Sequence, residues 1–217
     1  MIIAIDGEAA SGKGTLSKLL AKHLNFAYLD TGLLYRAIAY LTVVNNVNTN
    51  DYEEVARLSN KIDEQILLNP ILKSNDIANI ASIVAQIGGV RTALLKFQQD
   101  FAKNYSQKGF LGAILDGRDI GTHVLPNADI KFYITASLDE RAKRRFLELE
   151  TNIDNLSENP KYIEYLNSLK ARDDADKNRT HNPLKPAEDS IIIDTTTMNV
   201  EESLSLLLRL LKEKLSL

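Results

Sequence analysis

Apolar residues enter this chain in blocks, and the blocks change period. Residues 2–6 open it with an unbroken apolar run, Ile2-Ile3-Ala4-Ile5, of the kind that forms a strand buried on both faces of a parallel sheet. Leu16, Leu19, Leu20 and Leu24 then recur at helical spacing, and Asn25 ends that helix. Phe26-Ala27-Tyr28-Leu29 reads as a second strand closed by Asp30-Thr31-Gly32, and Leu33 to Val44 as a second helix. Strand, loop, helix, strand, helix predicts a βαβ unit with a right-handed crossover. The alternation resumes with strands at Leu111–Leu115, Ile130–Ile134 and Ile191–Asp194. Ser137 and Glu140 have the spacing of a capping box for a helix carrying Arg141, Lys143, Arg144 and Arg145. Residues 151–159 read as a polar loop, and Asn159-Pro160 as the cap and first residue of a helix running toward Leu169. Val200, Leu204, Leu207, Leu208, Leu211 and Leu215 mark one face of a C-terminal helix. The expected class is α/β, a five-stranded parallel sheet flanked by helices.

Residues 45–109 break the alternation. A polar loop at 45–50 leads to a helix near 51–60, and residues 61–75 hold no clear period, with Pro70 arguing against a continuous helix. Ile77, Ile80, Ile83, Val84 and Ile87 mark a further helix, which Gly88-Gly89 interrupts before one carrying Val90, Leu94, Phe97 and Phe101. This mostly helical segment is expected to be an insertion that moves as a unit.

Composition narrows the function classes. A chain of 217 residues holds one α/β domain with a small insertion. Its net charge of −3 argues against general nucleic-acid binding, which draws on a basic excess. The absence of cysteine excludes disulfides, thiolate zinc sites and a cysteine nucleophile, and fits a reducing compartment. No stretch approaches the ~20 apolar residues of a membrane span, and the N-terminal run lacks the basic flank of a signal peptide. A cytoplasmic monomer with no membrane or nucleic-acid partner is the expectation.

The chemistry starts between the first strand and the first helix, at Gly7-Glu8-Ala9-Ala10-Ser11-Gly12-Lys13-Gly14-Thr15. A glycine-bearing loop that ends in a helix N-terminus wraps a phosphate in backbone N–H groups and adds the partial positive charge of the helix. Lys13 is spaced to reach the outer phosphates. Gly14 stands where Ser or Thr is usual, so Thr15 must supply a hydroxyl to Mg²⁺, and the Glu8 carboxylate would repel phosphates unless it points outward. In an open parallel sheet, ligands bind beyond the carboxyl ends of the strands. There the second strand ends in Asp30-Thr31-Gly32, with Arg36 following, and the third in Asp116-Gly117-Arg118-Asp119. Each alone is an ordinary turn. Together, on the same edge as a phosphate loop, they describe a second, anionic ligand opposite the nucleotide, since arginine suits bidentate phosphate contacts. Arg141 and Arg145 lie one helical turn apart, and Arg172 and Arg179 sit in a charged stretch that could close over the site. Arg145, Arg172 and Arg179 read as functional, and Lys143 and Arg144 as a solvated face. His23, His123 and His181 show no metal-ligand spacing.

In order and spacing these motifs resemble the bacterial cytidylate kinases, P-loop kinases that phosphorylate CMP and dCMP. The likeness rests on Gly7–Thr15, residues 30–36, Ala81-Ser82-Ile83-Val84-Ala85 followed by Val90-Arg91, residues 116–122, residues 140–145, and Arg172-Asp173-Asp174 through Arg179. It covers nearly the whole chain. It implies a P-loop kinase fold with a core at 1–44 and 110–217, a lid at about 151–185, and a nucleoside-monophosphate-binding insertion at 45–109. It implies ATP on the phosphate loop and Arg141, with Lys13, Arg145, Arg172 and Arg179 serving the transfer. Thr31, Arg36, Arg118 and Arg179 would surround the CMP phosphate, Ser82, Arg91 and Asp119 would read the cytosine, and Asp176 would meet the ribose. A carboxylate accepts from the cytosine amino group, and Arg91 donates to its ring acceptors. Thr15 and Asp116 are the Mg²⁺ candidates. The chain departs from the family pattern at Ala9-Ala10, at Ala175, where a further arginine is usual, and in residues 61–75, which leave room for little of a small antiparallel sheet. Two other readings stand beside this one: a P-loop kinase for UMP, AMP or a metabolite, and a nucleotide-dependent switch. The switch would need a guanine-reading Asn-Lys-x-Asp, which the chain lacks.

Overall fold

A computed structural model describes residues 1–147 and 156–215. Along the chain run β1 (Ile2–Gly7), α1 (Lys13–Leu24), β2 (Ala27–Asp30), α2 (Thr31–Val44), α3 (Tyr52–Arg57), α4 (Glu64–Leu67), α5 (Asn75–Val84), α6 (Gly88–Lys103), β3 (Ala113–Gly117), β4 (Ile130–Thr135), α7 (Leu138–Leu147), α8 (Pro160–Asn178), β5 (Ile191–Asp194) and α9 (Val200–Leu215). The strands form one sheet in the order β2-β3-β1-β4-β5, and each described pairing is parallel. The expected α/β sheet is therefore present. β1 lies at the centre, between β3 and β4, and its apolar residues Ile3, Ala4 and Ile5 are fully buried.

Each sheet face has its own core. Ala4, Leu29 and Leu115 pack with Leu34 and Ile38 of α2, Val84 of α5 and Val90 of α6. Ile3, Ile5, Ile114 and Phe132 pack with Leu16 and Leu20 of α1 and with Leu207 and Leu211 of α9. A third cluster lies beside the sheet, where Ala9 of the phosphate loop packs with Ala142 and Phe146 of α7 and Tyr162 and Leu169 of α8.

Three elements differ from the sequence reading. β3 runs over residues 113–117 rather than 111–115: Ala113 is the first residue to enter the ladder, donating to the Met1 carbonyl, while Leu111 lies outside it and is 68% exposed. Gly88 and Gly89 do not end a helix. They begin α6, and the break between α5 and α6 falls at residues 85–87, where the backbone turns from α to extended at Ile87. Most consequentially, α8 continues nine residues past Leu169 to Asn178, so the charged stretch at 172–178 is helical and Arg179 is its C-cap. Asp173 and Asp176 pair with Arg141 and Arg118 on other elements, and this tertiary pairing stabilises the helix. Residues 151–155 of the expected polar loop, which open the expected lid, lie outside the described residues. Residues 61–75 hold the short α4 and a 3₁₀ turn at Pro70–Lys73, with no strand among the described residues of 45–109.

Candidate active site

Sheet register brings three carboxylates to one edge. Asp6 pairs with Gly117, and Asp30 pairs with Asp116. From this edge the phosphate loop arches into α1. Gly7 has to be glycine, because a Cβ there would lie 2.0 Å from the Ile134 carbonyl oxygen, and Gly12 enters α1 with a left-handed φ of 85°. Ala10 is also left-handed, at φ 57°, a conformation that strains a residue with a side chain. The loop is held from outside by Arg141, whose guanidinium is buried and donates to the carbonyls of Ala9 (3.0 Å) and Ala136 (2.9 Å) while pairing with Asp173 of α8 at 2.7 Å. Arg141 thus reaches the donor site through the loop's backbone.

Lys13 donates to the Glu8 carbonyl at 3.2 Å. Burial and the nearby Arg118 pull its ammonium down to about 7. Burial and the neighbouring Asp30 push the Asp116 carboxyl up to about 7, with Tyr28 donating to it at 3.2 Å. These two groups face a site built to receive charge. Phosphates would restore the Lys13 cation, and a metal ion would ionise Asp116. A Cβ on Gly14 would lie 3.5 Å from Asp116 Oδ2, so the loop opens onto that carboxylate. Thr15 is exposed at the start of α1. Among the described residues no group of three metal-binding side chains exists. One carboxylate and one hydroxyl suit Mg²⁺, which is commonly held by one or two carboxylates, phosphates and water. Glu8 does not point outward: it is buried, and its Oε1 lies 3.6 Å from Lys177 Nζ. Lys177 offsets the charge that would otherwise repel phosphates.

Opposite the loop, a cavity is lined by Thr31, Ser82, Arg118, Asp119, Asp176 and Arg179. Its charged side chains are paired with one another, and Thr31 is tied to the backbone. Thr31 Oγ1 donates to the Asp116 carbonyl at 2.8 Å. Arg91 pairs with Asp119, both buried. Arg179 lies 3.2 Å from the other Asp119 oxygen, and Arg118 pairs with Asp176 at 2.8 Å. Burial works to raise Asp176, but Arg118 and Arg172 outweigh it and hold its carboxyl below the usual range. Burial and the neighbouring Arg91 pull the Arg179 guanidinium down. A second cavity, over Ala9 and Ala10, brings Arg36, Arg145 and Arg172 together. Arg36 is steered by the carbonyls of Leu72 (2.5 Å) and Ser74 (3.3 Å), and Arg145 by Asn75 Oδ1 (3.0 Å). Burial and Arg118 pull Arg172 down to about 10. The two cavities share Arg172, and three arginines gather in the second one beside the phosphate loop.

Sequence reading missed several supports. Arg144, expected on a solvated face, is half-buried and donates to the Thr195 carbonyl at 2.6 Å and to Thr195 Oγ1 at 3.1 Å, tying α7 to the loop after β5. Asp6, Tyr28, Asp173 and Lys177 also went unassigned. Their partners lie 88 to 169 residues away except where Asp173 meets Arg141, so no local spacing marks them.

A glycine loop after the central strand, a lysine at the helix entrance and a facing arginine-lined cavity define a P-loop kinase. The chain belongs to the cytidylate kinase family, whose model matches residues 3–213. Similar proteins named cytidylate kinase include that of Caldicellulosiruptor bescii, 41% identical, covering 96% of this chain and 94% of the relative. The one from Rhodospirillum rubrum is also 41% identical, covering 99% and 98%, and the one from Listeria welshimeri is 40% identical, covering 99% and 97%. In fold, an uncharacterized protein from Eubacterium ventriosum is similar, with a TM-score of 0.53 at 18% identity and 98% of each chain covered.

Proposed function

We propose that this chain transfers the γ-phosphoryl group of ATP, with Mg²⁺, to CMP or dCMP, in the cytoplasm and as a monomer. The observation that carries the acceptor is Asp119: a buried carboxylate set between Arg91 and Arg179 on the wall of a cavity that faces the phosphate loop. A carboxylate beside a guanidinium offers an acceptor for the cytosine amino group and donors for its ring acceptors, and Ser82 adds a hydroxyl. Thr31, Arg36, Arg118 and Arg179 receive the acceptor phosphate, and Asp176 the ribose. A single chain supplies both halves of the site.

Residues 7–15 hold the donor phosphates, and Arg141 shapes the loop around them. Thr15 and Asp116 would hold Mg²⁺, which supplies charge neutralisation between the transferring and leaving phosphates. An oxygen of the acceptor phosphate, already anionic, attacks the γ-phosphorus in line as the bond to ADP breaks, so no side chain need remove a proton. Lys13, Arg145, Arg172 and Arg179 gather around the transferring group, where positive charge and position do most of the work. In this reading residues 45–109 form the acceptor-binding segment, and 151–185 a lid that keeps water from the γ-phosphate.

The test is ADP release with ATP and Mg²⁺ against CMP, dCMP, UMP, AMP, GMP and TMP. Activity confined to CMP and dCMP is expected. Activity centred on AMP or GMP overturns the assignment of the base, and nucleotide binding with no acceptor-dependent release overturns the kinase reading.

A further inference from the structure

The turn after β3 presents Arg118 and Asp119 to the acceptor cavity, and a carboxylate from another strand shapes it. Residues Ile120–Val124 form one turn of π-helix entered from Asp119. The N–H groups at the start of such a turn lack partners within it. An aspartate in the entry position ordinarily accepts from them with its own side chain. Asp119 makes no such bond. Asp6 takes that place: its carboxylate, 3% exposed, accepts from Ile120 N (2.8 Å) and Gly121 N (2.7 Å), across more than a hundred residues of sequence. The Asp119 carboxylate is thereby left to face Arg91 and Arg179. Gly121 completes the junction, since a Cβ there would sit 3.1 Å from the Lys131 side chain and 3.4 Å from Asp6 Oδ2.

We propose that Asp6 is a positioning residue for the acceptor nucleotide: by capping the Ile120–Val124 turn in place of Asp119, it keeps the Asp119 carboxylate turned toward the base. This rests on the CMP reading of the cavity. Asp6 immediately precedes Gly7, so a general loosening of this strand end would weaken ATP at least as much as CMP. Positioning through Asp119 acts on CMP alone. Without Asp6, the Asp119 side chain swings to cap its own turn and leaves the cavity.

The test compares Asp6→Ala and Asp6→Asn with the wild-type enzyme, by steady-state kinetics and by CMP titration in calorimetry. Asp6→Ala is expected to raise KM for CMP by roughly 30-fold, the loss of a charge-assisted contact, with KM for ATP changed less than about threefold. Asp6→Asn keeps the shape and one acceptor oxygen and is expected to fall between the two. Should Asp6→Ala fail to fold, the same split is read from Asp6→Asn. Equal effects on the two substrates, or an unchanged KM for CMP, overturn the positioning role. If the wild-type protein neither binds nor phosphorylates CMP, the CMP reading falls first and the proposal falls with it.

Discussion

Arg91 of α6 and Asp119 after β3 form an ion pair in which the two side chains are only 6% and 7% exposed. Asp119 also lies 3.2 Å from Arg179, so one carboxylate balances two buried guanidiniums. Asp119→Asn keeps the volume and removes that charge. It is expected to destabilise the protein by about 3 kcal/mol, the order found when one partner of a buried pair is lost, measured by urea unfolding. It is also expected to raise KM for CMP far more than KM for ATP. An equal rise in both would remove Asp119 from the base site.

The two alanines of the phosphate loop are expected to respond oppositely to glycine. Ala10 is held at φ 57°, where a side chain costs about 1–2 kcal/mol. Its replacement by glycine offsets part of that gain through unfolded-chain entropy of about 0.4–1 kcal/mol, leaving a stabilisation of about 0.5 kcal/mol. Ala9 is 3% exposed and packs with Phe146 and Leu169, so Ala9→Gly is expected to cost about 1 kcal/mol. Thermal melts of the pair check this, and a loss of stability in Ala10→Gly would contradict the strain argument.

The depressed Lys13 ammonium makes donor binding proton-linked. Its ordinary value of 10.5 falls to about 7 in the fold. A lowered base contributes stability that is present above pH 10.5 and is lost as pH falls through 7, where the buried amine takes up its proton. A bound triphosphate favours the cation and reverses the shift. ATP binding at pH 8 without metal is therefore expected to take up roughly one proton, read by calorimetry in buffers of different ionisation enthalpy. Lys13→Met should abolish the uptake. An undiminished uptake in that variant would assign the proton elsewhere.

Asp173 couples α8 to the phosphate loop through Arg141, at 2.7 Å. Asp173→Ala leaves Arg141 with its two carbonyl contacts and removes its paired anion. The expected result is faster amide exchange over residues 160–178 and a higher KM for ATP, with β1 and β3 exchange unchanged. Unchanged exchange in α8 would show that Ala9, Phe146 and Leu169 hold the helix without the ion pair.

The five strands, the phosphate loop and the polar ends of β2 and β3 were legible as local patterns. An apolar run, a glycine spacing or a capping box speaks through neighbours a few residues away. Ser137 does accept from Glu140 N at 3.2 Å, but the box does not close, because the Ser137 N–H donates to Thr196 Oγ1 and the Glu140 carboxylate pairs with Arg144; Asn159 accepts from Lys161 N at 3.0 Å. Composition misled where charge was dense. Arg172 to Asn178 lies past the helix expected to end near Leu169, yet it is helix, with Asp173 and Asp176 neutralised by Arg141 and Arg118 on other elements. Arg144 looked solvated for the same reason, its partners lying in the loop after β5.

By itself, then, the sequence determined the α/β class, the donor loop and the list of arginines and carboxylates at the sheet edge. Only the tertiary structure decided how those charges pair. Burial makes each unpaired charge costly, and the sheet order places Asp6 beside the turn after β3 and Glu8 within reach of Lys177. Pairing across 114 or 169 residues depends on which strands become neighbours, and no spacing along the chain carries that information.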